Sequence, residues 1–145
     1  MAELFEILAK AAMRLSTPAT QNISDSAWTT LEFDTVTVER GGLVCDEAAN
    51  TIRVPSAGLY SVHIGVDATF PGSEMIGIMV FVNGVAYSPN NLVLQGRNAR
   101  PVSIFWESTV DLAIDDVIDV RAINDASGSF DLNVQRMYVA IIKEH

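Results

Sequence analysis

The chain has 145 residues, one domain's worth, of which 49% are hydrophobic and 19% charged, so a packed core is expected and disorder is not. Its net charge of -9 comes from 18 acidic and 9 basic residues, and the basic ones are scattered singly along the sequence. No basic stripe could track a phosphate backbone, so neither nucleic acid nor an anionic membrane is an expected partner. Cys45 is the single cysteine, which excludes an intrachain disulfide and a thiolate metal cluster.

Residues 1–16 carry the one good helix pattern. Leu4, Leu8, Ala11 and Leu15 draw an apolar seam, which Phe5, Ile7 and Ala12 widen. A lone helix of this length is marginal in water and needs a surface. The expectation is therefore an assembly or docking helix that uses Leu4, Phe5, Leu8 and Leu15. Glu3 and Glu6 interrupt the segment, so it is not a membrane span. It also lacks the basic start and cleavage site of a signal peptide, so synthesis in a host cytoplasm without such a signal is expected. Thr17-Pro18 stops the helix, and residues 17–26 read as a polar linker.

From residue 27 to 145 the pattern is β, with about eight to ten antiparallel strands at the spacing of a sandwich or jelly roll. Gly41-Gly42 marks a turn, and Asn83-Gly84 a hairpin, because both residue types tolerate positive φ. In "GLYSVHIGVD" Tyr60, Val62, Ile64 and Val66 share the core face, while Ser61, His63 and Asp67 share the other. Two strands refuse to alternate: Met75 to Val82, and "MYVAII" from Met137 to Ile142, are apolar on both faces. A second apolar face needs a cover. At the closing strand the expected cover is another copy of the chain, with Met137, Val139, Ile141 and His63 as interface residues.

The segment "IRVPSAGLY", through Ile52, Val54, Pro55, Gly58, Leu59 and Tyr60, resembles the central signature of the complement first-component globular head, a member of the tumour-necrosis-factor-like (TNF-like) jelly-roll superfamily. "WTTLEFDTV", "IMVFVNGVAY", "STVDLAIDDVIDVRA" and "FDLNVQRMYVAIIK" are similar to other pieces of that family in the same order. The resemblance covers residues 27 to 143. It implies an all-β, TNF-like jelly roll and a tight homotrimer that buries one sheet and the closing strand at a threefold axis. Asp115 departs from the pattern, standing where the family has a glycine, and the closing strand lacks the family's aromatic-glycine-aromatic ending.

Catalytic vocabulary is thin. His63 and His145 are the only histidines, no nucleophile elbow occurs, and no His pair is spaced for zinc. Neither enzyme activity nor a cofactor is expected. Cys45 reads as a buried, inert thiol. Asp115, Asp116 and Asp125 gather hard oxygen ligands on loops, yet without the alternating acids and closing Glu of a calcium loop they read as turn chemistry. Trp106 shares its phase with Ile104 and Val110 and reads as core. Tyr87, Arg97 and Arg100 form a possible ligand loop.

The expected function is a non-enzymatic virion structural protein of a bacterial virus: an oligomeric jelly roll on a capsid or tail, as a decoration or fibre component. The viral part rests on analogy of architecture. The alternative is a glycan- or receptor-binding recognition module.

Overall fold

A computed structural model describes residues 9–25, 27–69, 75–87, 93–96, 101–124 and 130–144. Within them the strands are β1 (Lys10–Arg14), β2 (Ala19–Ile23), β3 (Thr29–Thr30), β4 (Thr35–Arg40), β5 (Val44–Asp46), β6 (Thr51–Arg53), β7 (Gly58–Thr69), β8 (Met75–Val82), β9 (Val85–Ala86), β10 (Val93–Gly96), β11 (Val102–Leu112), β12 (Val117–Asn124) and β13 (Phe130–Lys143). One sheet runs β11-β7-β13-β1-β4, with β2 also on β13. The other runs β10-β8-β12-β6-β5, with β3 on β12 and β9 on β8. The two sheets share one core that includes Tyr60, Ile64, Ile78, Val120 and Ile141.

The predicted helix does not appear among the described residues. Lys10–Arg14 is a strand, and no described residue is helical. "KAAMR" is rich in good helix formers, yet propensity is a weak prior. Here β13 and β4 offer backbone partners on both sides, from Lys10↔Ile142 to Arg14↔Tyr138 and from Lys10↔Arg40 to Arg14↔Thr35. Ala11 and Met13 point into the core. Leu15 follows them: its N–H donates to the Met137 carbonyl at 3.0 Å, and its side chain packs on the core. Leu15 is therefore half-buried against its own domain, while Leu4, Phe5 and Leu8 lie outside the described residues.

Half of the polar linker is also strand. β2 pairs with Phe130–Val134, burying Gln21 and Ile23. Its polar side chains are used in pairs across the sheet, with Thr20 donating to Asn133 at 3.0 Å and Asn22 to Asp131 at 3.1 Å. Gln21 imitates a strand partner, giving and taking hydrogen bonds with the Glu32 backbone at 2.9 Å each. The jelly roll thus reaches back to Lys10 and does not begin at residue 27.

The signature segment is a locking corner. Tyr60 is fully buried, and its hydroxyl donates to the Ser56 carbonyl at 2.7 Å. The Lys143 ammonium reaches Ser56 Oγ at 2.8 Å from the closing strand. Val54 exchanges backbone hydrogen bonds with the turn before β12, to Asp116 and from Asp115, both at 3.0 Å. Asp115 takes φ 66°, the left-handed conformation that a glycine would adopt there, and Asp is among the residues that tolerate it. The departure at Asp115 therefore leaves the turn intact. At the hairpin Asn83 and Gly84 take φ 52° and 78°.

Candidate interaction face

β7, β11 and β13 form the middle and one edge of the first sheet, and their outward phase is unlike the solvated face of an ordinary sandwich. From β7 come Ser61, His63, Gly65 and Asp67; from β11, Ser103, Phe105, Glu107 and Thr109; from β13, Arg136, Tyr138, Ala140 and Ile142. Register assembles them in rungs. Phe105 and Tyr138 both stand opposite Gly65, and Glu107 and Ala140 both stand opposite His63. Phe105 is 69% exposed and Tyr138 is 40% exposed.

Gly65 has a specific purpose here. A methyl group added at Gly65 would lie 2.2 Å from Tyr138 Cε1, so the Tyr138 ring lies flat across the glycine. Depressions of about 440 and 250 Å³ flank this rung, one bounded by Asp67, Ser103 and Arg136, the other by His63 and Glu107. The result is an apolar, aromatic centre with sockets beside it.

The interface residues predicted from the sequence are out of phase with this face. Met137, Val139 and Ile141 are buried in the chain's own core, with Ile141 at 0% exposure. Their cross-strand partners, Val66, Ile64 and Val62, are core residues of β7. A bulge between Val134 and Arg136 resets the alternation, so Leu132 and Val134 point inward before it and Met137, Val139 and Ile141 after it. A strand apolar on both faces gives no clue to its own phase; the alternating partner β7 carried that clue. Phe105 was missed as well, although an aromatic on the polar phase of an otherwise alternating strand is a signal. His63 does lie on the outward face.

Polar groups on the face gather around His63 and Asp67. His63 Nε2 is 3.3 Å from Ser61 Oγ and its Nδ1 is 3.6 Å from Glu107 Oε2. That order imitates a nucleophile, base and acid, but 3.6 Å is too long for a hydrogen bond. Ser61 is buried, with its hydroxyl turned towards the Ile142 carbonyl at 3.5 Å. On the next rung Arg136 Nε lies 3.2 Å from Asp67 Oδ2.

Other predicted positions fall elsewhere. Tyr87 packs partly buried on the core, with its hydroxyl accepting the Asp111 N–H at 3.3 Å. Arg97 and Arg100 lie outside the described residues, as does Asp125. Asp116 is committed to its turn: Oδ1 accepts from Asn83 at 2.8 Å and Oδ2 from the Ala113 N–H at 2.7 Å. No group of three or more His, Cys, Asp or Glu side chains among the described residues could hold a metal ion. Trp106 packs partly buried on the core. Cys45 is partly buried, and burial together with the Glu39 and Glu47 carboxylates pushes its thiol up to about 11. It therefore stays protonated and a poor nucleophile at neutral pH.

Two antiparallel sheets closed over one core, with the C-terminal strand in the middle of the first, define a jelly roll. No protein-family model matches the chain, and no curated protein matches it in sequence. Solved structures match along nearly its whole length. The Eiger TNF of S. frugiperda aligns with a TM-score of 0.70 at 14% identity, over 97% of this chain and 94% of that one. The globular domain of the zebrafish complement 1qA protein aligns with a TM-score of 0.69 at 7% identity, over 96% of this chain and 98% of that one. Murine APRIL aligns with a TM-score of 0.66 at 13% identity, over 95% and 100%. The fold is a TNF-like jelly roll.

Proposed function

We propose that this protein is a non-enzymatic assembly module, a homotrimer that turns the outward face of its first sheet towards its own copies. One observation carries the reading: Phe105 and Tyr138 stand exposed on either side of Gly65, in the middle of a sheet face, where an aromatic pair in water has nothing to gain. The TNF-like fold supports the trimer, because proteins of that fold are typically trimeric. Beyond that, the module serves as a structural component of a virion, decorating a capsid or forming part of a tail or fibre. That part of the proposal rests on the analogy of a small jelly roll with sparse catalytic vocabulary. The glycan-recognition reading draws no support from Tyr87, whose ring packs partly buried on the core.

Sedimentation velocity tests the assembly at ~10 μM, where a complex of ~1 μM affinity is mostly formed. The expected result is a trimer for the native chain, and a folded monomer for Phe105→Asp. A native chain that sediments as a monomer would overturn the reading. The virion role is tested by mass spectrometry of purified particles from cells that express the protein; particles that lack it count against that role.

A further inference from the structure

On the outward face of the first sheet, His63 lies between two oxygens that make opposite demands on it. The Ser61 hydroxyl is turned to the Ile142 carbonyl at 3.5 Å, which leaves its oxygen to accept from His63 Nε2 at 3.3 Å. A neutral ring that keeps its one hydrogen on Nε2 has a bare Nδ1, and that atom faces Glu107 Oε2 at 3.6 Å. Two acceptors then stand face to face. A second hydrogen, on Nδ1, turns them into a donor and an acceptor of opposite charge. In the single chain water relieves the opposition, because the Glu107 side chain is 69% exposed and that of His63 31%. The strands beside β7 bring Glu107 from β11 and Ala140 from β13 opposite His63. Other ionisable groups of the face stand further off. Tyr138 is opposite Gly65, and Asp67, tied to Arg136, is one rung beyond it. Asp111 and Glu144 meet at Leu59, while Lys10 and Arg14 stand across β13, opposite Ile142 and Tyr138.

We propose that assembly takes up a proton at His63, so that the face closes on a second copy more tightly in mild acid, an inference that rests on the self-association proposed above. A second copy laid over Phe105 and Tyr138 also covers the adjoining rung of His63 and Glu107. It strips water from Glu107, and a desolvated carboxylate without a counter-charge is costly. Protonated His63 supplies that counter-charge from within the same chain, so the assembled state binds more protons than the separate copies. Linkage then fixes the sign, because the state that binds more protons gains as the pH falls. Imidazole is the side chain that changes charge between about pH 8 and about pH 5. The added positive charge acts in the same direction on a chain of net charge -9, which repels its own copies at long range.

Sedimentation velocity at about pH 8 and about pH 6, at one ionic strength, tests the linkage, with thermal melting as a check on folding. The native chain is expected to assemble at a concentration at least ~10-fold lower at the acid end. Glu107→Gln removes the carboxylate that needs the proton; it is expected to assemble at both ends within ~3-fold of the native chain in acid. His63→Gln keeps the carboxylate and loses the proton site, and is expected to assemble at both ends only as weakly as the native chain at the alkaline end. The two substitutions thus flatten the pH dependence at opposite levels, which a merely structural role for either residue would not do. His145, the other histidine, stays in both variants, so a pH dependence of its own would persist in them. A native chain that assembles equally at both ends, or a Glu107→Gln chain that keeps the full pH dependence, overturns the proton linkage and leaves self-association standing. A native chain that is monomeric at both ends overturns both.

Discussion

The two strands that are apolar on both faces, β8 and β13, solve the same problem in opposite ways. On β8 the inward residues are Ile76, Ile78 and Val80, and the outward Phe81 is covered from within the chain. The Trp28 ring lies 5.4 Å from it at 59°, and the Arg121 guanidinium carbon sits 4.3 Å from its centroid. Arg121 is itself held by the buried Asp119, at 2.7 Å, which also accepts from Thr30 at 3.2 Å. This lid is self-contained. On β13 the inward residues are Met137, Val139 and Ile141, and the outward Tyr138 lies across Gly65, 40% exposed. Among the described residues, an aromatic cover lies over one apolar face and none over the other. The difference teaches that surplus hydrophobicity marks an interaction surface only where the chain's own side chains leave it uncovered.

The sharpest way to break this comparison is to place a charge on each face of β13. Ile141→Asp buries an unpaired carboxylate and is expected to cost on the order of 3–5 kcal/mol, enough to abolish a cooperative thermal transition. Tyr138→Asp puts the same charge on the open face; the expected outcome is a folded chain of native-like secondary structure that no longer assembles. If Ile141→Asp stays folded, the phase assigned to β13 is wrong.

Removing the two phenylalanines compares the lids directly. Phe81→Ala is expected to destabilise the monomer by about 3 kcal/mol in denaturant unfolding, since a well-packed ring and its cation–π partner are lost together. Phe105→Ala is expected to change monomer stability by no more than about 0.5 kcal/mol and to act on association alone. Equal losses in both would erase the distinction. At Gly65 an alanine must displace the Tyr138 ring, with an expected cost of about 1–2 kcal/mol that a further Tyr138→Ala change relieves.

The smallest effect concerns the strap between β1 and β4. Hydrogen bonds from the Thr35 hydroxyl and from the Ser16 N–H and hydroxyl hold the Asp34 carboxyl below its ordinary value of 3.8, and Arg14 adds to this. A depressed carboxyl stabilises the folded form above its unfolded value, and that contribution is lost as the pH falls through the lower folded one. Amide exchange at Ser16, measured by NMR and corrected for its intrinsic pH dependence, is expected to lose protection only below about pH 4. Protection that weakens already at neutral pH would contradict this.

Much of the fold was legible because strands that alternate declare their phase. β7 and β11 do so, and the Val54-Pro55 to Tyr60 corner and the Asn83-Gly84 hairpin have conformational requirements visible in the residues themselves. The N-terminal segment was not legible. Ala, Met, Lys and Arg favour helix locally, and the backbone partners that make Lys10–Arg14 a strand come from Phe130–Lys143 and Thr35–Arg40, far away in sequence. β2 escaped notice because its polar residues are satisfied by equally polar partners on β13. The candidate face was half legible: the two-faced closing strand drew notice to this sheet, but the bulge before Arg136 put the outward-facing residues one position away.

The place of β13 also governs when this domain can fold. It lies between β7 on one side and β1 and β2 on the other, so the first sheet has a missing middle until the last residues of the domain leave the ribosome. At roughly 5–20 residues per second, β1, β2 and β7 spend several seconds with unpaired edges in a chain that cannot yet close its core. Folding of this jelly roll is therefore a single late event, driven by pairings between its first and last strands and slowed by the length of chain that separates them.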